Sequence, residues 1–240
     1  MNPQGYVIAM SFRLLSVIFC SLTAATALAN PLALYQRAYP STVTTIDTQN
    51  VLIRQQPLNA IEATPTLFEQ IAEPYAAHFH PPFNDAGRAR NPLFFALMYG
   101  EDNAAVESQL TTIDWFGKSV KVTTINDVHL KLQSIQAALA QLPEAERKIA
   151  EGTAGTFNYR KIAGTDDLSS HAYGIAIDLA VEHANYWRWG RKADGSFDYQ
   201  NRIPHAIVDI FEAHGFIWGG KWHHFDTMHF EYRPEILLTQ

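Results

Sequence analysis

Hydrophobic positions along the chain change their period several times, and each change marks an element. Leu67, Ile71, Tyr75 and Phe79 recur every four residues, which predicts a helix ending before Pro81-Pro82. Residues 93–99 (LFFALMY) and 103–110 read as further short helices. Trp115 to Ile125 contains VKVTTI, a strand by its β-branched content. Asp127 then caps a helix in which Val128, Leu132, Ile135, Leu139 and Leu142 line one face, and Pro143 ends it. From residue 153 the pattern turns to short strands and glycine turns. Ile175, Ile177, Leu179 and Val181 alternate with Ala176, Asp178, Ala180 and Glu182, a strand with one core face. Pro204 opens a helix with Ile207, Ile210 and Phe211 inward, closed by Gly215. Met228, Phe230 and Tyr232 alternate with His229 and Glu231 in a last strand. Residues 30–64 are turn-rich without a sustained period and read as an extended lead-in. The class is α+β, with a helical part over 65–150 and a core of short strands over 151–240. There is no internal repeat.

Composition changes this picture little. The chain has 240 residues, 47% hydrophobic and 18% charged, with a formal charge of −6. Such a chain buries a full core without staples. No Lys/Arg run marks a nucleic-acid or anionic-membrane surface, so neither partner is expected. The N-terminus changes it more. Residues 14–29 (LLSVIFCSLTAATALA) follow Arg13 and end in Ala27-Leu28-Ala29, a small-x-small cleavage signature. The run is short of the roughly 20 residues a spanning helix needs. Residues 1–29 are therefore expected to be a signal peptide, with Met10 an alternative start and an uncleaved membrane anchor the second reading. The mature chain is expected to begin near Asn30, in the periplasm or medium. It would hold 17 Lys+Arg against 24 Asp+Glu, a net charge of −7. The sole cysteine, Cys20, lies within the leader, so thiolate catalysis and thiolate metal ligation are excluded from the mature chain.

The candidate chemistry sits in the last third. His171 lies in a turn before Gly174, and Asp178 lies on the strand that follows. Ala176 and Ala180 share the face of Asp178 and leave open space beside its carboxylate. His229 stands opposite Met228 and Phe230 on the last strand, with Asp226 three residues earlier at its entrance. Either half alone reads as ordinary structural residues. Together, two histidines and one carboxylate give three ligands and an open fourth position, the layout of a catalytic rather than a structural zinc.

The stretch S-x-H-x-x-G-x-A-x-D over Ser169–Asp178, then W-G-G-x-W over Trp218–Trp222 and D-x-x-H-F-E over Asp226–Glu231, resembles the VanY-like zinc D-alanyl-D-alanine carboxypeptidases and related peptidoglycan endopeptidases. The resemblance covers about residues 153–233. It implies a small, mostly antiparallel sheet carrying a catalytic zinc and flanked by helices, a fold shared with the Hedgehog signalling domain. It implies Zn2+ held by His171, Asp178 and His229, and Asp226 as catalytic acid/base. Many members carry Glu at that position, so Asp226 leaves the choice of substrate open. An upstream arginine holds the developing oxyanion in the family; Arg160 is the candidate, a surface arginine the alternative.

The implied activity is hydrolysis of peptidoglycan stem peptides by a D-Ala-D-Ala carboxypeptidase. An L-Ala-D-Glu or cross-bridge endopeptidase is the alternative, and a non-catalytic zinc-bearing wall-binding module is the reading of another class. No stable protein partner is implied. Neighbouring side chains diverge on a strand or turn, so His223 and His224 are read as pocket-lining or supporting residues rather than as joint ligands. Glu231 shares the face of His229 and is placed to orient it; a surface salt bridge is the other reading. Trp222 is assigned to the cleft rim and Trp218 to the core, while Ser169 is expected to hydrogen-bond near His171.

Overall fold

The computed structural model describes residues 31–75 and 85–239. The leader expected over 1–29 lies outside the described residues, as do Phe79 and Pro81-Pro82.

Residues 31–64 do not form an extended lead-in. Helix α1 (Pro31–Ala38) buries Leu32, Tyr35 and Ala38. Strands β1 (Val43–Thr45), β2 (Asn50–Ile53) and β3 (Gln56–Asn59) then form an antiparallel sheet. Val43, Val51, Ile53 and Leu58 enter the core from it. These strands are three or four residues long, too short to display a period over an eleven-residue window. The four-residue spacing of Leu67, Ile71 and Tyr75 yields only helix α2 (Leu67–Gln70), set by a Thr66–Glu69 capping box.

Asn91 caps α3 (Pro92–Tyr99), its side chain accepting from Phe94 N. After α4 (Asn103–Glu107), strands β4 (Leu110–Trp115) and β5 (Lys118–Thr123) pair as a hairpin. Helix α5 (Val128–Leu139) buries Val128, Leu132, Ile135 and Leu139, the face its spacing predicts. Asp127 stands at its N-cap in a left-handed conformation, and its side chain makes no capping bond. Pro143 opens a further helix, α6 (Glu144–Glu151).

The last third holds β6 (Thr153–Gly155), β7 (Ala176–Leu179), α7 (His205–Ala213), β8 (Phe216–Trp218), β9 (His229–Tyr232) and α8 (Pro234–Leu237). The four strands form one antiparallel sheet in the order β6-β7-β9-β8. Its core face carries Phe230, stacked on Phe211 of α7 at 4.0 Å and 22°. Trp218 is fully buried, as expected. One continuous core runs from Leu32 in α1 to Tyr232 in β9, so the strand-rich part and the N-terminal part fold as one body. The class is α+β, as read from the sequence. Among the described residues no helix is long and apolar enough to cross a membrane.

Candidate metal centre and active site

Register brings the first two side chains together. Asp178 of β7 pairs with His229 of β9, and Ala176 pairs with Glu231. Cross-strand partners point to the same face about 5 Å apart, so Asp178, His229 and Glu231 rise from one side of the sheet beside two alanines. His171 arrives from a 3-10 turn (Ser170–Tyr173) before β7, rather than from a strand. Ser169 caps that turn, its Oγ accepting from His171 N at 3.4 Å. Gly174 closes it at φ +66, where a Cβ would stand 2.7 Å from Leu110 and 3.1 Å from the Thr123 backbone nitrogen. Only glycine lets the turn press against β5 there.

The three residues present His171 Nε2, His229 Nδ1 and an Asp178 oxygen to one point. Asp178 Oδ1 is 3.1 Å from His171 Nε2 and 2.9 Å from His229 Nδ1, and the two nitrogens are 3.2 Å apart. Ligands about 2.0–2.1 Å from a tetrahedral zinc stand roughly 3.3 Å from one another, so this spacing fits the ion. The outer nitrogens are held as a metal site requires. His171 Nδ1 donates to the Thr156 carbonyl, and His229 Nε2 donates to Glu231 at 3.0 Å with Ser170 Oγ 3.2 Å away. Each bond fixes the tautomer that turns the other nitrogen inward.

Electrostatics agree. Burial alone would raise the Asp178 pKa, yet the bonds from His171 and His229 hold it below the usual carboxylate range. Burial alone would lower His229, but Asp178 and Glu231 at its two nitrogens push it up to about 10. A proton thus sits between His229 and Asp178 at the point where a cation held by the three residues would take its place. Burial also raises Asp226, with a pKa of about 6; the carboxylate of Asp178 adds to the rise and His229 opposes it.

Asp226 lines the same cavity, of about 330 Å3, as His171, Asp178 and His229. Its backbone is pinned: Asp226 N donates to Gly219 O at 2.9 Å, and a Cβ on Gly219 would meet Asp226 O at 2.7 Å. Gly219 is needed for that approach, while its neighbour Gly220 makes room for the Trp218 ring. Asp226 Oδ1 is buried and makes no hydrogen bond among the described residues. Arg160 and Ser169 line the cavity too. So does Trp222, only 4% exposed, its ring 5.6 Å from that of His229; it is a wall of the site rather than a rim.

The structure does not bring His223 and His224 into the cavity. His223 is exposed against Phe197, and His224 is tied to Asp85, whose carboxylate accepts from its N at 2.8 Å and its Nδ1 at 2.7 Å. Glu231 is fully buried, which excludes the surface salt bridge. It meets Arg90 at 2.6 Å and Arg233 at 3.2 Å while holding His229. Arg88 and Arg90, unsignalled by any motif, line the cavity from the segment before α3. Thr156 and Ser170, which hold the histidine rings, were not singled out from the sequence either.

Residues 163–232 match the family model described as D-alanyl-D-alanine carboxypeptidase. The match spans 70 of the 240 residues, and that segment is similar to this family. Comparison with curated proteins gave no match. The matched D-alanyl-D-alanine carboxypeptidase segment contains the three candidate ligands and Asp226; Arg160, Arg88 and Arg90 precede it. The peptidases to which this segment is similar are zinc enzymes, and the match supports a peptidase reading with peptidoglycan as the implied substrate.

Proposed function

We propose that the chain is a zinc-dependent D-alanyl-D-alanine carboxypeptidase acting on peptidoglycan stem peptides, exported after cleavage near Asn30. The observation that carries this reading is the Asp226 carboxyl. It lines the cavity of a three-ligand metal set without being needed as a ligand, and its pKa lies near 6. The description of the matched family favours the carboxypeptidase over an endopeptidase cutting L-Ala-D-Glu or a cross-bridge.

His171, Asp178 and His229 would hold the zinc. When bound, zinc supplies Lewis acidity to the attacking water and the scissile carbonyl. Asp226 takes the water's proton and delivers it to the leaving amine; a carboxyl titrating near 6 is ionised at neutral pH yet basic enough to accept that proton. The Arg160 guanidinium holds the negative charge developing on the carbonyl oxygen. Glu231 and the Thr156 carbonyl keep the two imidazoles oriented throughout.

A wall-binding module would need the metal but no proton carrier, so Asp226→Asn separates the readings. The variant keeps shape and removes the base. It is expected to fold, retain one zinc per chain and lose about 10²–10⁴-fold in turnover of purified muropeptides, read by mass spectrometry of the products. Turnover at the parental rate with zinc bound would overturn the mechanism. Loss of zinc would make Asp226 a ligand. The masses released by the parent identify the bond: loss of one terminal alanine marks the carboxypeptidase, larger fragments the endopeptidase.

A further inference from the structure

Trp189 is 59% exposed, the most exposed of the large hydrophobic side chains among the described residues and the one aromatic among them. A solvated indole is unusual, because aromatic side chains carry the largest burial gain. Its place is more unusual still, since Trp189 lines the same cavity as the metal ligands and Asp226.

The backbone beneath it is firmly held. Residues 185–187 run antiparallel to 225–227: Thr227 N donates to Asn185 O at 3.0 Å, Trp187 N to Phe225 O at 3.0 Å, and Tyr186 bridges Asp226. Trp189 N donates to Tyr186 O at 2.9 Å, and the Tyr186 ring meets the indole edge-to-face at 5.7 Å and 76°. The chain then turns back through a short hairpin in which Lys192 N donates to Ser196 O and Asp198 N to Gly190 O. Trp187 and Phe197 anchor this arm against His224. Arg188 donates to Ala163 O at 2.9 Å, joining the arm to the opposite lip of the cavity. The arm thus fixes a bare indole on the wall of the cavity that Asp226 also lines, and the fixed ring costs little entropy when something covers it.

We propose that Trp189 is a stacking platform for a sugar ring of the wall glycan, so that the substrate is taken as a glycan-bound peptide rather than a free one. This rests on the peptidoglycan reading given above. A pyranose presents a flat face of C–H groups, apolar and slightly positive, which matches the electron-rich face of an indole. Its hydroxyls need polar neighbours, and the exposed Arg188 is the residue next to Trp189. The stem peptide is covalently joined to such a sugar, so one molecule can occupy the metal centre and the platform together.

The test uses the full chain with two substrates, a disaccharide-linked stem peptide and the same peptide without sugar. Trp189→Ala is expected to raise KM for the sugar-linked substrate about tenfold more than for the free peptide, the worth of one aromatic contact, with kcat nearly equal. Trp189→Phe should recover part of that difference. Independently, peptide-free wall disaccharide should quench tryptophan fluorescence of the parent and not of Trp189→Ala. Equal losses on both substrates would show that the indole touches peptide. Loss of binding to lipid vesicles without loss of sugar binding would show a membrane contact. Either result overturns the proposal, as does a parent that fails to bind the disaccharide. If the parent cuts neither substrate but still binds the disaccharide through Trp189, the peptidase reading fails and the platform stands.

Discussion

The cavity has two walls of unlike construction. One is the sheet wall, where His171, Asp178, Asp226 and His229 lie within 59 residues of sequence and are set by strand register and glycine turns. The other is the segment from Asp85 to Arg90, which reaches across about 140 positions. Asp85 holds His224, Arg88 donates to His224 O at 2.7 Å and covers the Trp222 ring, and Arg90 holds Glu231. The first wall presents the proposed metal ligands and the proposed proton carrier. The second balances charge behind them: Glu231 and Glu235 stand against Arg90 and Arg233, with Tyr39 donating to Glu235 at 2.5 Å. A buried carboxylate behind a metal ligand is tolerable only when so compensated. The N-terminal part is therefore not an appendage to the matched segment: it supplies Arg90, which shares the charge of Glu231 with Arg233 from the C-terminal end.

The comparison breaks most visibly at the ligands. His171→Ala or His229→Ala is expected to reduce both zinc content and peptide turnover to background, read by elemental analysis and muropeptide digestion. His224→Ala, adjacent to the motif but outside the cavity, should keep its zinc. A His229→Ala protein with full zinc occupancy would remove the sheet wall's claim to the metal.

Next comes Arg90→Leu. It leaves Glu231 facing one arginine instead of two. Breaking such a buried pair costs about 3–5 kcal/mol, and loosening the carboxylate behind a ligand weakens metal binding by about 10–100-fold. Urea unfolding and competition with a chelator read the two effects. The double variant Arg90→Leu/Glu231→Leu should regain stability without regaining zinc affinity. Unchanged zinc affinity in Arg90→Leu would leave the second wall a structural strut.

Sequence reading saw the first wall and missed the second for a physical reason. His171, Asp178, Asp226 and His229 advertise themselves through local constraints: a glycine forced to φ +66, two small residues flanking a carboxylate, and two glycines, one against Asp226 and one against Trp218. Helix α5 is equally legible because four residues at helical spacing bury one face. Arg90 and Glu231 satisfy each other through space alone, and nothing near either residue in sequence reports the partner. The sheet β1–β3 was missed for want of length, and the hairpin partner of β5 because Leu110–Trp115 mixes buried and exposed positions without strict alternation. His223 and His224 misled in the other direction: adjacency to a motif suggested the site, whereas Asp85 turns His224 away.

A smaller effect follows from protons. His229 is pushed up to about 10 without metal, while Asp178 stays ionised throughout the neutral range. The raised imidazole stabilises the metal-free fold, fully below its ordinary value near 6.5 and progressively less as pH rises through about 10. Zinc must displace that proton, so apparent affinity should climb about tenfold per pH unit between 6 and 9. Isothermal titration in buffers of different ionisation enthalpy should show about one proton released per zinc. A flat affinity would mean that His229 is already neutral and that the sheet wall is not primed by its carboxylates.

The smallest expected effect lies at Asp85. Its carboxylate bonds His224 twice and stands 3.6 Å from Arg88 Nε, but Asp85 is 24% and His224 35% exposed, so solvent competes for each contact. Trp187 packs on the His224 ring at 4.6 Å, and Gly219 still holds the Asp226 backbone, so the loop does not depend on Asp85 alone. Asp85→Ala should therefore cost about 1–2 kcal/mol, visible as a lower urea midpoint at unchanged slope. Zinc occupancy should be intact, because no ligand or ring-holding group touches Asp85. Turnover should fall only a few-fold, as the Asp226 loop samples more positions. If Asp85→Ala instead loses turnover as deeply as Asp226→Asn, the outer clamp is what aims the carboxyl, and the division between a reacting wall and a balancing wall is wrong at this corner of the cavity.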